Sequence, residues 1–370
     1  MTATSSKKQS RLVAALGNLW AGFTQPSLFA LCTMAVMVIV TVIAVLVSVT
    51  PEKLSGPFGA YLVKTSNDAE GAATKNAYIL VDPRKPVSTT PHLYVVGNSL
   101  IAQAIADGPK LDKALEADTG QSWDTYFLTT GSQGPLDEAA LVDYATMHQP
   151  GVVVLPINFD RFDDDVQDIM KFYRMGRLGF RSDLADNQVK HILKQRPRRR
   201  TGIFIVDNRF FFLRNASIIG LRFLTQQPAE QKIDAFVFKP TPEKLVTYKR
   251  DIVGALRQNY QHPELATALL KDTVKTVEAR GSKVVFFQVP ISQTLLDNPA
   301  DYKRFQLHMA KSEEFAKRLG SVYCKQPGDN VLPTRLFSDY YHIADPVWQE
   351  KLRKVLARCV AYAQRGKTAS

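Results

Sequence analysis

From residue 92 onward, short apolar runs of strand length alternate with longer stretches of helical spacing, and that alternation leaves few folds open. Leu93-Tyr94-Val95-Val96 reads as a buried strand, and a helix begins between Leu100 and Ala106. Thr125 to Thr129 reads as a second strand, followed by a turn at Gly131 and Gly134 and a helix from Leu136 to His148. Val152 to Ile157 is the third and most apolar strand. Further on, helices are expected over Pro263–Arg280 and Asp301–Leu319, strands over Lys283–Val289 and Ser321–Cys324, and a closing helix over Pro346–Ala363. Strands joined through helices of this length run parallel and are buried on both faces, so they read as near-continuous apolar runs. The expected class is α/β, a parallel sheet with helices on both sides. No internal repeat or low-complexity segment interrupts the pattern.

Residues 160–260 do not keep the rhythm and are expected to be a large insertion. They hold an acidic run, Asp163-Asp164-Asp165, and a basic run, Arg196-Pro197-Arg198-Arg199-Arg200, expected to be a solvated loop. Arg209 to Leu224 mixes Phe210, Phe211 and Phe212 with aliphatic residues and Arg209, Arg214 and Arg222. Two readings stay open for it: a helix packed on the main domain, or a surface helix touching a membrane or a membrane partner.

The N-terminal part is of another kind. Leu28 to Val49 carries no charged residue and no proline. At 1.5 Å per residue it is long enough to span the roughly 30 Å hydrocarbon layer. A cleaved signal peptide has a shorter apolar stretch and a small-residue cleavage site, which Val-Ser-Val-Thr-Pro does not supply. The expectation is therefore an uncleaved transmembrane helix at 28–49, preceded by a cytoplasmic tail, residues 1–27, in which Lys7, Lys8 and Arg11 hold the N-terminus inside. Residues 50–91, punctuated by Pro51, Gly56, Pro57, Gly59, Gly71, Pro83, Pro86 and Pro91, read as a juxtamembrane linker with some structure. The domain proper is then 92–370. The formal charge of +12 suits anionic lipid headgroups, an acidic polymer or a negatively charged partner. Nucleic acid is not expected behind a membrane span, and no such motif is present. Cys32 lies in the span, while Cys324 and Cys359 are placed where a disulfide would be permitted in an oxidising compartment, a pairing the sequence leaves open. No Cys/His spacing resembles a metal site, and no cofactor is expected.

Chemistry concentrates at strand ends. Ser99 follows the first strand, at the edge where open parallel sheets bind ligands. Gly97 permits a sharp turn, and N–H groups opening the next helix can face an oxyanion. By themselves, Asn98 and Ser99 read as a helix cap. Gly131 follows the second strand and Asn158 the third; each fits a second oxyanion donor or an ordinary turn. Late in the chain, Asp339-Tyr340-Tyr341-His342 offers a base and its orienting carboxylate on one loop. A serine needs both, an imidazole to take its proton and a carboxylate to hold the tautomer. Asp345, before Pro346, reads as a helix cap and is the second choice of orienter. His92, His148, His191, His262 and His308 read as structural or solvated.

Gly97-Asn98-Ser99-Leu100, Gly131, Asn158 and Asp339-x-x-His342, in that order, resemble the four blocks of the SGNH (GDSL-type) hydrolase family. The match covers residues 92–160 and 280–365. It departs at Asn98, where the family usually has an aspartate, and at Pro156 and Phe159, where the third block usually reads Gly-x-Asn-Asp. The resemblance implies a three-layer, flavodoxin-like parallel sheet, with Ser99 as nucleophile, His342 as base and Asp339 as its orienter. Ser99, Gly131 and Asn158 would form the oxyanion hole. With the anchor and basic body, the chain is similar to membrane-tethered bacterial members that modify envelope polymers beside a multispanning membrane-bound O-acyltransferase. The expected function is an O-acetyl (acyl) transferase or esterase acting on a cell-envelope or extracellular polysaccharide, from the periplasmic side of the cytoplasmic membrane. The alternatives are a catalytically silent glycan-binding scaffold of an export complex and a lipid esterase.

Overall fold

The computed structural model describes residues 28–63, 69–82, 88–105, 107–158, 162, 164–225, 240–257, 263–326 and 328–366. The chain divides into two units, Met1–Thr50 and Pro51–Ser370. In the first, helix α1 (Leu28–Ser48) has no acidic residue in its first turn and no basic residue in its last. Met34, Met37 and Val38 are among its exposed side chains. Its side chains are described without interruption over residues 30–44. On the described residues alone, no helix is long and apolar enough to cross a membrane. The α1 backbone itself continues for 21 residues. The expected tail with Lys7, Lys8 and Arg11 lies outside the described residues.

The second unit opens with a 3-10 turn, Pro57–Leu62, and helix α2 (Ala69–Leu80). Strand β1 (His92–Gly97) leads into α3 (Ser99–Ala104) and α4 (Gly108–Thr119), then β2 (Asp124–Thr129), α5 (Pro135–Thr146) and β3 (Val152–Pro156). The stretch that breaks the rhythm forms α6 (Val166–Met175), α7 (Asp183–His191), α8 (Arg209–Thr225) and α9 (Pro242–Tyr248). The alternation then resumes with α10 (Pro263–Ala279), β4 (Lys283–Phe287), the short β5 (Ile291–Ser292), α11 (Pro299–Arg318) and β6 (Val322–Cys324). The short β7 (Val331–Leu332) and the last helix, α12 (Pro346–Gln364), complete it.

Five strands form one sheet in the order β2-β1-β3-β4-β6, with β5 and β7 paired separately. All pairs in the large sheet are parallel. The chain steps from β1 outward to β2 and then returns to the far side of β1 for β3. This reversal opens a crevice at the carboxyl ends of β1 and β3, where ligands of doubly wound sheets bind.

Why the strands read as unbroken apolar runs is visible in their packing. Tyr94, Val96, Val153, Leu155, Val284 and Phe286 enter one core, with Tyr78 of α2, Leu141 of α5 and Val274 of α10. Their neighbours Leu93, Val95, Val152, Val154, Val285 and Phe287 enter the other, with Leu111 of α4 and Leu356 of α12. Side chains alternate across a strand, so both positions of the alternation must be apolar when both faces are covered. Each such side chain stabilises the fold by roughly 1.5–3 kcal/mol on burial.

Some local readings change. The stretch 50–91 supplies a structured helix, α2, whose Ala73, Ala77 and Tyr78 are fully buried. Between Gly59 and Pro83 the only breaker is Gly71, so a three-turn helix fits where punctuation elsewhere is dense. The strand expected to reach Val289 ends at Phe287. The Arg196–Arg200 run is not simply solvated: Arg200 is ion-paired to Asp183 and Asp186 at 2.6 Å each, and Arg181 donates to the Arg198 and Arg199 carbonyls. Cys324 and Cys359 are joined in a disulfide between β6 and α12, with Cα atoms 5.6 Å apart.

Candidate active site

The carboxyl end of β1 turns at Gly97, whose φ of +138° is a conformation that side chains rarely adopt. A Cβ there would lie 2.6 Å from Ile101 Cγ2 and 2.9 Å from Pro156 Cγ. Asn98 then caps α3, its side-chain oxygen accepting from the Leu100 N–H at 3.1 Å. Asn98 thus takes the capping role, and Ser99 is left at the first position of the helix. Its N–H belongs to the first turn, where no intrahelical acceptor exists.

Ser99 Oγ lies 2.9 Å from His342 Nε2. His342 Nδ1 lies 3.0 Å from both carboxylate oxygens of Asp339. Ser99 is half-buried, His342 is buried, and Asp339 has no exposed surface. With Nδ1–H donating to Asp339, Nε2 is the acceptor that faces the serine proton. The loop is built to hold this. Asp339 Oδ1 accepts from the backbone N–H groups of Tyr341 at 3.2 Å and His342 at 2.9 Å, and Tyr340, directly after Asp339, has a φ of +77°. Asp345 is not the orienter; its oxygen caps α12 by accepting from the Trp348 N–H at 2.9 Å.

Tyr248, at the end of α9, also serves Asp339. Its hydroxyl donates to Asp339 Oδ2 at 2.7 Å, and its ring packs 5.6 Å from that of Tyr341. Burial raises the Asp339 pKa, but the hydrogen bond and positive charge of His342, with the Tyr248 hydroxyl, outweigh it and bring the carboxyl down to about 2. Burial and the bond to Asp339 push the Tyr248 phenol up, so it remains a donor.

Register sets the ends of the strands that lead to the oxyanion candidates side by side. Gly97 pairs with Thr129 across β1 and β2, and Val95 pairs with Val154 across β1 and β3. Ser99 lies two residues past Gly97, as Gly131 lies two past Thr129. It lies four past Val95, as Asn158 lies four past Val154. Asn158 is 1% exposed; its Oδ1 accepts from Gln288 Nε2 at 3.3 Å, while its Nδ2 has no acceptor. An amide N–H buried without an acceptor is a group awaiting one. Gln288 is in turn 3.3 Å from His308 Nε2, which also lies 3.1 Å from the Ile157 carbonyl. Burial drops the His308 pKa to about 4, so it is neutral and structural at pH 7. A Cβ at Gly131 would meet nothing within 4 Å, so open space adjoins it.

The loop carrying Gly131 is held by Arg177, which is 3% exposed and lies between α6 and α7. Its guanidinium donates to the Gly131 carbonyl, to Thr130 Oγ1 at 2.5 Å and to the Ser132 carbonyl at 3.1 Å. It is paired with Glu70 of α2 at 2.8 Å and approaches Asp137 of α5 at 3.9 Å.

The sequence reading missed Tyr248, Arg177 and Gln288. Tyr248 and Arg177 sit in the insertion, 91 residues from Asp339 and 46 from Gly131 respectively, and no local pattern marks them. Of the other histidines, His92 is buried beside Tyr94 and Asp124, His148 and His191 are exposed, and His262 lies outside the described residues. Among the described residues no group of His, Cys, Asp and Glu could hold a metal ion. A cavity of about 640 Å³ lies elsewhere, between α4 and α12, lined by Lys110, Lys113, Arg353, Lys354 and Arg358 among others; no triad residue reaches it. The site as assembled can activate a hydroxyl nucleophile and accept its proton. Compared with protein-family models and with curated proteins, the chain matches none.

Proposed function

We propose that this chain is a membrane-anchored, SGNH-like acyl-transfer enzyme that acylates or deacylates a cell-envelope or extracellular polysaccharide outside the cytoplasm. The observation that carries the chemistry is the Ser99–His342–Asp339 relay, at 2.9 and 3.0 Å, standing at the reversal point of the sheet. The unpaired Asn158 amide, just past the end of β3, supports it. The anchor rests on α1, 21 residues without a charge, and the outward position of the second unit on the basic residues before it.

In the first half-reaction Ser99 Oγ attacks the carbonyl carbon of the acyl donor while His342 Nε2 takes the serine proton. The carbonyl oxygen gains the negative charge and is met by the Ser99 N–H and the Asn158 amide, with Gly131 as third donor. Collapse expels the donor's leaving group, which receives the proton from His342. In the second half an acceptor hydroxyl gives its proton to His342 and attacks the acyl-serine. Serine is released and takes that proton back. The acceptor is a sugar hydroxyl in a transferase and water in an esterase; both run through one acyl-enzyme. Asp339 keeps the imidazole in the required tautomer and stabilises its cation.

Fluorophosphonate labelling of the full chain in detergent, beside Ser99→Ala and His342→Ala, tests this reading. Labelling of the wild type that both variants abolish is the expected result. A folded wild type that does not label overturns the enzyme reading and leaves the glycan-binding scaffold.

A further inference from the structure

Helix α8 is apolar on two faces. Its inward face carries Phe211 and Asn215, each 1% exposed, with Phe211 in the core beside Tyr78, Phe180 and Leu62. Its outward face carries Phe210, Leu213, Leu221 and Leu224, exposed by 44%, 71%, 64% and 80%. At 3.6 residues per turn these four positions fall on one stripe, with the small Ser217 between them. A helix at the surface of a soluble body turns its apolar stripe inward. Here a second apolar stripe, broken only by Ser217, faces out as well, which marks a surface that something covers. Arg209 stacks over the Phe210 ring at 4.7 Å, and Arg214 stands at the edge of the stripe, bonded to Glu70 at 3.1 Å. Basic groups beside outward aromatic and leucine side chains are the pattern of a helix lying at a bilayer interface.

Chain connectivity says which surface is at hand. α1 ends at Ser48 and the second unit begins at Pro51. The turn Pro57–Leu62 packs directly against α8. From Ser48 to Pro57 the chain reaches at most about 30 Å when fully extended. The part of the body that supports α8 is thus the part first joined to the anchor. We propose that the outward face of α8 lies in the interfacial layer of the bilayer that holds α1, with Phe210, Leu213, Leu221 and Leu224 among the upper acyl chains. This rests on the anchor reading of α1. It gives the insertion its own point of membrane contact. A tether of this length keeps the local concentration of lipid high, so a contact that is weak alone persists.

The test uses the full chain in nanodiscs of phosphatidylcholine and phosphatidylglycerol with brominated acyl chains. The one free thiol among the described residues is Cys32. A bimane label is placed by Leu213→Cys, Leu221→Cys or Leu224→Cys in a Cys32→Ala background, with Leu307→Cys on α11, 55% exposed, as the control. All four substituted positions are exposed, and thermal unfolding of each variant checks that the fold is kept. Loss of roughly half or more of the emission at the three α8 positions, with little loss at Leu307, is the expected result. The native Cys32 label separates the two ways of failing. Quenching at Cys32 without quenching on α8 overturns the α8 surface and leaves the anchor standing. No quenching at Cys32 removes the anchor and the α8 surface together. Unquenched α8 positions whose unlabelled cysteines form a disulfide between two copies of the chain under oxidant replace the bilayer with a second copy and overturn the proposal equally.

Discussion

Asp339 shows how much one side chain can be asked to hold. It accepts from two backbone N–H groups, the His342 ring and the Tyr248 hydroxyl, and it stays ionised down to about 2 against the usual 3.8. A carboxyl with a lowered folded-state pKa stabilises the fold above its unfolded pKa and ceases to do so as pH falls through the folded one. Asp339 therefore contributes about 2 kcal/mol above pH 4, lost between 3.8 and 2. In urea titrations across that range, the stability gap between wild type and Asp339→Asn shrinks toward the acid end. On the proposed acyl-transfer reading, the same substitution is expected to present the wrong tautomer to Ser99 and to lower the turnover of an ester substrate by about 10⁴-fold. Tyr248 acts one step further out, as a positioning residue. Tyr248→Phe keeps the ring packed on Tyr341 and removes one charge-assisted hydrogen bond, so kcat falls roughly tenfold with KM unchanged. A variant whose KM rose in step with the loss of kcat would assign Tyr248 a packing role only.

At the level of elements, the site depends on how strands end. β1 ends in a turn that only glycine makes without strain, and the Cβ of Gly97→Ala would meet both α3 and β3. That variant is expected to lose about 3 kcal/mol in chemical denaturation, with fluorophosphonate reactivity reduced in the folded fraction as well. The turn after β2 depends on Arg177, which ties it to α2 and α5. Arg177→Met leaves three backbone or hydroxyl acceptors and two carboxylates short of a partner, a loss of about 3 kcal/mol at neutral pH. Burial already lifts the Asp137 pKa to about 6, against the opposing pull of Arg177. Without the guanidinium the Asp137 carboxyl favours its neutral form more strongly, so the deficit is smallest below pH 6 and grows as pH rises through it. Thermal melts at pH 5 and pH 8 measure the difference. A deficit equal at both values would show that the lost hydrogen bonds, not the buried charge, dominate.

Across the whole molecule, the disulfide joins the last strand of the sheet to the last helix, closing a loop with a sequence separation of 35. Such a bridge stabilises by about 2–4 kcal/mol, chiefly by restricting the unfolded chain. Cys324→Ala with Cys359→Ala is expected to lower the unfolding free energy by that amount, and a reductant is expected to do the same to the wild type while leaving the variant unmoved. The bond also bears on where the second unit resides, since bridges of this kind persist in oxidising compartments. It accords with the proposed position outside the cytoplasm.

Several things were legible in the residues alone. Strands buried on both faces must be apolar at every position, so β1, β3 and β4 stand out in one dimension, and with helices between them they dictate a parallel sheet. The base and its orienter are three residues apart, close enough for one loop to fix both, so Asp339 and His342 could be read as a pair. The apolar length of α1 is likewise a property of composition. What the tertiary structure decided were meetings between residues far apart in sequence. Strand register set the ends of β2 and β3, which lead to Gly131 and Asn158, beside the end of β1. Packing of the insertion brought Tyr248 to Asp339 and Arg177 to the β2 turn, and the fold set Cys324 within bonding distance of Cys359. Such meetings depend on which faces bury together, and no window along a single strand or helix carries that information.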